Sequence, residues 1–137
     1  ALQKTETVVT VGRQLLPNRH IICDLSTESP DLTGYAVDYV VNAAGKAHSL
    51  PRNRADRAAY EAVNVAGTRR LLTALTRLET LPKAVVHIST VLVYGRDEGY
   101  DLPETTPLRD NGLYGLSKIR AEETVLDWGT RLGVQTT

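Results

Sequence analysis

The sequence predicts an α/β fold built on a parallel sheet, and three observations carry the prediction. Short β-branched apolar runs recur along the chain, two long stretches carry apolar residues at helical spacing, and the two kinds of segment alternate. Strand, helix, strand, helix is the pattern of βαβ units, whose crossover connections leave neighbouring strands parallel.

The first strand is read at residues 7–12, TVVTVG, the second at His20-Ile-Ile-Cys23 and the third at Asp38-Tyr-Val-Val-Asn42. A fourth, Pro82-Lys-Ala-Val-Val-His-Ile-Ser89, is continuously apolar apart from His87, as expected of a strand covered on both faces. Between the third and fourth lies a long helical pattern. Its second part, 64–78, carries Val65, Leu71, Leu72, Leu75 and Leu78 as one apolar stripe. A closing helix over 113–132 places Ala121, Val125, Trp128 and Leu132 at steps of four, three and four, and GVQTT at 133–137 opens a further strand. The irregular stretch 95–112, GRDEGYDLPETTPLRDNG, leaves the fourth strand at its carboxyl end. In open α/β sheets such loops carry ligands, so this one is expected to cover a substrate.

Composition narrows the function classes. The 137 residues make at most one ordinary domain, with 42% hydrophobic and 23% charged residues. Sixteen basic residues balance sixteen acidic ones, so no charge excess points to nucleic acid or a membrane surface. The single cysteine, Cys23, excludes an internal disulfide and CxxC-type metal clusters and is read as a buried strand residue in a reducing compartment. No run reaches the ~20 apolar residues of a membrane helix, and no signal peptide is recognisable, so a cytoplasmic protein is expected. The sequence starts at Ala1 and contains no methionine, which suggests a piece of a longer protein.

Chemistry concentrates in LYGLSKIRAEE at 113–123, where Tyr114 and Lys118 share one helix face. An ammonium about 4 Å from a phenol, at an effective dielectric of about 20, is worth about 4 kcal/mol. That is enough to bring a phenol from its reference pKa of about 10 toward neutrality, where it can donate and accept protons. By spacing alone the pair is weak evidence, and its company strengthens it. Ser89 and Thr90 put hydroxyls at the end of the fourth strand, Asn42-Ala-Ala-Gly45 supplies small residues where a backbone can approach a flat ring, and Asn64 opens NVAGT. Read by itself, Asn64 is a helix cap. Lys46 and His48 are either site residues or ordinary surface polarity, His87 is a satisfied core histidine, and Arg69-Arg70 is a solvated face.

Asp24-Leu25, NAAG at 42–45, NVAGT at 64–68, STVLVYG at 89–95 and YGLSK at 114–118 occur together in the order found in the extended short-chain dehydrogenase/reductases, the NAD-dependent epimerase/dehydratase family. The chain resembles that family from about residue 7 to its end. The resemblance implies a Rossmann-like doubly wound parallel sheet, with 1–137 forming a partial NAD(P)-binding domain from its second strand to the start of its sixth. It implies Tyr114 as catalytic acid/base, Lys118 as the group that tunes it and binds the nicotinamide ribose, and Thr90 as the catalytic hydroxyl, with Ser89 its neighbour. Asp24 and Leu25 would contact adenine, Ala43, Ala44 and Gly45 the middle of the cofactor, and Asn64 would order the site. The nicotinamide supplies the hydride chemistry. Relatives commonly pair the two long helices in a homodimer.

Three departures refine the expectation. No GxxGxxG turn is present, so the family's first strand and the C-terminal substrate part are expected to be absent, leaving two free edges between the first and third strands seen here. Residues 1–5 are read as the tail of the helix after that turn. Where an acidic residue commonly meets the ribose hydroxyls, Gly12 and Arg13 stand, which favours NADP over NAD. Val91 and Leu92 occupy the positions of the acidic pair of sugar-nucleotide 4,6-dehydratases and cannot exchange protons. A nucleotide-sugar 4-epimerase or 4-ketosugar reductase is therefore expected. The alternatives are a reductase of a non-sugar ketone and a non-catalytic dinucleotide sensor. No metal site is expected.

Overall fold

A computed structural model describes residues 6–17, 19–47, 54–96, 98–109 and 112–137. The expectations for residues 1–5 and for His48 lie outside the described residues. Five strands form, β1 (Thr10–Gly12), β2 (His20–Ile22), β3 (Tyr39–Asn42), β4 (Ala84–His87) and β5 (Gln135–Thr136). They are shorter than the apolar runs that announced them. Pairing continues past β4 at both ends, where the Lys83 N–H donates to Asp38 O at 2.8 Å and the Ile88 N–H to Asn42 O at 3.0 Å.

All pairings are parallel. β1 lies on β2 with Thr10 opposite His20, β3 on β4 with Asn42 opposite His87, and β4 on β5 with Val85 opposite Thr136. The strands form two separate sheets, β1–β2 and β3–β4–β5. Among the described residues no ladder joins β1 to β3.

One helical run crosses from β3 to β4 as α1 (Arg54–Tyr60), a π-helical turn (Glu61–Ala66) and α2 (Gly67–Thr76). α3 (Leu113–Leu132) follows a 3₁₀ turn (Val91–Tyr94) and ends at Gly133, whose φ of 69° is the left-handed cap that glycine adopts without a Cβ clash. α2 and α3 pack together on one face of β3–β4–β5. The core there is Leu71, Leu72, Leu75, Val85, Val125 and Trp128, each apolar side chain worth roughly 1.5–3 kcal/mol when buried. The Trp128 indole also donates to Thr76 Oγ1 at 2.9 Å.

Two details of the sequence reading are corrected. On β4 itself Val85 and His87 are buried, whereas Ala84 and Val86 on the other face are half-buried and Ile88 is 49% exposed, so among the described residues the apolar run of that strand is fully covered on one face only. Leu132, placed on the inner stripe of α3, is exposed because the helix ends there, past the last sheet contact. Cys23 is buried as expected, and burial, with Glu28 and Asp24 nearby, raises its thiol pKa and keeps it protonated. No helix among the described residues is long and apolar enough to cross a membrane.

Candidate active site

The carboxyl ends of β3 and β4 meet the first turns of α3. Thr90 caps the 3₁₀ turn, its Oγ1 accepting from the Leu92 N–H at 3.4 Å, and the turn carries the chain back over the start of α3. Gly115 makes that approach possible: a Cβ there would lie 3.3 Å from Leu92 O. Tyr114, the preceding residue, is thus set beside the Thr90 turn, with its ring 6.0 Å from that of Tyr60. Gly95 closes the turn at φ 61°, and the Arg109 N–H donates to Val93 O at 2.9 Å, pinning the returning end of the 95–112 loop.

Lys118 is buried to 4% exposure, an unusual place for an ammonium. Its Nζ lies 3.2 Å from His87 Nε2 and donates to the Ile88 carbonyl. Burial lowers its pKa, opposed by the Glu122 carboxylate one turn later on α3. His87 is pushed down to about 4, by burial first and by Lys118 second, and is therefore neutral at physiological pH. Its Nδ1 lies 3.1 Å from Asn42 Nδ2. The recorded partners of the Lys118 amine are thus on β4 and the residue after it, and Tyr114 is not among them. The sequence left His87 as a core histidine; its link to Lys118 has no signal in spacing.

Asn64 is 1% exposed and lies within the continuous helical run, in its π-helical turn, so it caps no helix. Its Oδ1 accepts from the Lys46 N–H at 2.7 Å, and its Nδ2 donates to Lys46 O at 3.1 Å and to Ser117 Oγ at 2.8 Å. One side chain so fixes the turn after β3 against α3, and π-helical turns commonly mark functional sites. Ala43, Ala44 and Gly45 stand exposed at that turn. The Ser117 hydroxyl donates to Tyr114 O at 2.8 Å, a role the sequence reading missed although Ser117 lies inside YGLSK. Ser89 hydrogen-bonds Glu122, which leaves Thr90 as the hydroxyl not tied to α3. Lys46 places its ammonium 5.7 Å from the Tyr60 ring centroid.

A second group of predicted residues lies at the ends of β1 and β2. Asp24 Oδ1 accepts from Ser26 N at 2.9 Å and from Ser26 Oγ at 2.6 Å, bonds that lower its carboxyl pKa, with smaller help from Arg13 and Arg70. Arg70, read as solvated, instead donates to Leu25 O and Ser26 O at 2.9 and 3.0 Å. Arg13 is exposed and lines a 610 Å³ surface hollow with Gly12, Leu16 and His20. The structure therefore gathers Thr90, Tyr114, Lys118, Asn64 and the 43–45 turn at one sheet end, and Arg13, Asp24 and Leu25 at another. Among the described residues no group of His, Cys, Asp and Glu is placed to hold a metal ion.

Known proteins share this fold. A dTDP-glucose 4,6-dehydratase of Streptomyces griseus is 38% identical over 85 residues, 62% of this chain and 25% of that protein. The structure of MoeE5 in complex with UDP-glucose and NAD superposes with TM-score 0.78 at 26% identity, over 99% of this chain and 46% of that one. RMD from Pseudomonas aeruginosa, complexed with NADPH, has the same fold at TM-score 0.73 and 22% identity, covering 94% and 52%. The chain thus spans between a quarter and about half the length of these relatives. The NAD dependent epimerase/dehydratase family matches residues 1–137, the whole of the chain, and the chain belongs to that family, within the extended short-chain dehydrogenase/reductases.

Proposed function

We propose that this chain is the dinucleotide-binding part of an NAD(P)-dependent oxidoreductase or isomerase acting on a nucleotide sugar, of the 4-epimerase or 4-ketosugar reductase type. What supports the reading is that Thr90 stands in the turn after β4 and Tyr114 and Lys118 in the first turns of α3, two elements joined by the bond from Lys118 to Ile88 O. Tyr114 moves the proton of the reacting carbinol, and Thr90 hydrogen-bonds the same oxygen. Lys118 binds the nicotinamide ribose, and Asn64 holds the Ala43–Gly45 turn against α3. The bound nicotinamide supplies hydride transfer; these residues orient the substrate and handle its proton.

Dehydration is disfavoured because Val91, 77% exposed, and Leu92 present apolar side chains where a proton-exchanging pair would be needed. Arg13 beside Asp24 supports NADP, since a guanidinium favours a 2′-phosphate. The free edges of β1 and β3 suit a further parallel strand of the same protein, carrying the phosphate-binding turn. The outer faces of α2 and α3 suit a homodimer, and a monomeric mass of the intact protein would count against it.

Replacing Tyr114 with Phe in the intact protein tests the reading. Turnover is expected to fall by about 10²–10⁴-fold with the fold unchanged. Turnover within a few-fold of the parent on every accepted nucleotide sugar would overturn it, and a non-sugar ketone as the only substrate would select the alternative reductase.

A further inference from the structure

The turn that leaves β2 closes on itself around Asp24. Asp24 O accepts from the Thr27 and Glu28 N–H groups at 2.9 Å, the Asp24 N–H donates to Glu28 Oε1 at 3.0 Å, and Ser26 bonds Asp24 Oδ1 twice. Leu25 O and Ser26 O are acceptors that none of these bonds uses. Both are taken by one atom of another element: Arg70 Nη1, on α2, donates to Leu25 O at 2.9 Å and to Ser26 O at 3.0 Å. That amino group carries two hydrogens in the guanidinium plane, and two successive carbonyls use both, which gives a fixed fork where an ammonium would rotate. One turn earlier on the same helix, Gly67 lets α2 approach the turn, since a Cβ there would lie 3.3 Å from both Leu25 Cβ and Leu25 O. Among the described residues no ladder joins β1 to β3, so side chains set the place of this turn relative to the sheet that leads to Thr90.

The turn suits the adenosine end of a dinucleotide. Asp24 Oδ2 has no hydrogen-bond partner among the described residues and stands as an acceptor for an exocyclic amine at the carboxyl end of β2. We propose that Arg70 is a positioning residue for the dinucleotide: by clamping Leu25 O and Ser26 O to α2, it sets where Asp24 stands when the adenosine end arrives. It acts through the backbone of the turn, and its charge does not meet the ligand. The same helical run serves the other end of the site, where Asn64 holds Lys46 and Ser117 and Thr68 receives Asn42 Nδ2. α2 with its π-helical turn is therefore the shared support of both ends, and Arg70 is the link that keeps the adenosine end in register with the Tyr114 end.

This inference rests on the reading of the chain as a dinucleotide-binding part, and it is tested without turnover. Arg70→Met keeps the apolar stem and removes the donors. In the intact, cofactor-free protein, ¹⁵N relaxation of the Ser26 and Thr27 amides should give order parameters of about 0.85 in the parent and below about 0.6 in Arg70→Met, with α2 unchanged. Adenosine, which is uncharged, and ADP-ribose, which carries a diphosphate, are then titrated by NMR shift changes. Both are expected to weaken by about tenfold, the scale of losing hydrogen bonds from a charged donor. Reduced nicotinamide mononucleotide, which lacks the adenosine, should bind as it does to the parent. Unchanged order in the turn overturns the proposal, and so does a loss confined to ADP-ribose, which would mean that the guanidinium meets a phosphate directly. Arg70→Lys keeps the charge without the planar fork and should weaken both probes; parent-like affinity for them in that variant also overturns the proposal. Should Arg70→Met not fold, Arg70→Lys decides on the same probes. A parent protein that binds neither probe would sink the dinucleotide reading, while the order parameters would still decide whether Arg70 holds the turn.

Discussion

Asn64, in the π-helical turn, donates a 2.8 Å hydrogen bond to Ser117 on α3, 53 positions later in the chain. The same amide holds both backbone groups of Lys46, so a single side chain knots β3, the crossover helix and α3. Asn64→Ala would leave the Lys46 N–H and O without their partner in a partly buried place. A loss of about 2–3 kcal/mol is expected, read by denaturant unfolding of the intact protein. A change under half a kcal/mol would mean that solvent replaces these bonds at no cost.

Adjacent hydroxyls are predicted to behave differently. Ser89 is engaged by Glu122, whereas the Thr90 hydroxyl accepts from the Leu92 N–H of its own turn. Under the proposed function, Thr90→Ala should lower kcat by about 10²-fold, as removal of a donor to a reacting oxygen does elsewhere. Ser89→Ala should change kcat much less. Equal losses in the two variants would move the role to the pair.

Acid should destabilise the protein through His87. Its folded pKa of about 4 lies below the ordinary histidine value of 6.5, so the unfolded chain binds the proton more readily. The contribution is complete above pH 6.5, declines as pH falls, and is gone near pH 4, an effect on the order of 3 kcal/mol. Asp24 and Asp31, whose carboxyl pKa values are lowered by bonds to Ser26 and Thr33, act only below 3.8. Thermal unfolding between pH 4 and 7 should therefore show a slope that His87→Gln removes.

Gly129 sits where α3 crosses β5, and a Cβ there would lie 2.4 Å from Thr136 Cγ2 and 2.8 Å from Val134 O. Gly129→Ala is expected to cost about 1–3 kcal/mol through overpacking, despite the better helix propensity of alanine. Adding Thr136→Ala should restore part of that loss. Strictly additive effects in the double variant would show that the contact is not what limits the site.

Under the proposed function, a preference for NADP would follow from Arg13, exposed at the end of β1 near Asp24. Fluorescence titration of the intact protein should give tighter binding of NADPH than NADH, and Arg13→Ala should weaken NADPH by about tenfold while leaving NADH nearly unchanged. Tighter binding of NADH by the parent would refute the preference.

Element types were legible because each strand is a short β-branched run and each long helix a clear stripe. Strand lengths were not, since TVVTVG is β-branched up to its glycine yet among the described residues only Thr10–Gly12 finds a partner. The ordered motifs made legible that Thr90 stands in the turn after β4 and that Tyr114 and Lys118 stand in the first turns of α3. Three long-range contacts were not: Arg70 on the carbonyls after β2, Ser117 under Asn64, and His87 against Lys118. Each joins residues 31 to 53 positions apart or lies between a side chain and a backbone oxygen, and neither periodicity nor spacing reports such pairs.

The break between β1 and β3 bears on how the molecule comes apart. With no backbone ladder between them, the β1–β2 pair is attached to the rest through side chains, chiefly Arg70 on the Leu25 and Ser26 carbonyls and Ile21 and Leu25 against the core. Two such regions need not open together. In this chain the amides of β1 and β2 should exchange with solvent through a local, lower-energy opening, while those of β3 and β4 wait for global unfolding. Under the proposed function, the Arg13 and Asp24 end of the site would then be the part whose order depends most on whatever strand or cofactor bridges the break.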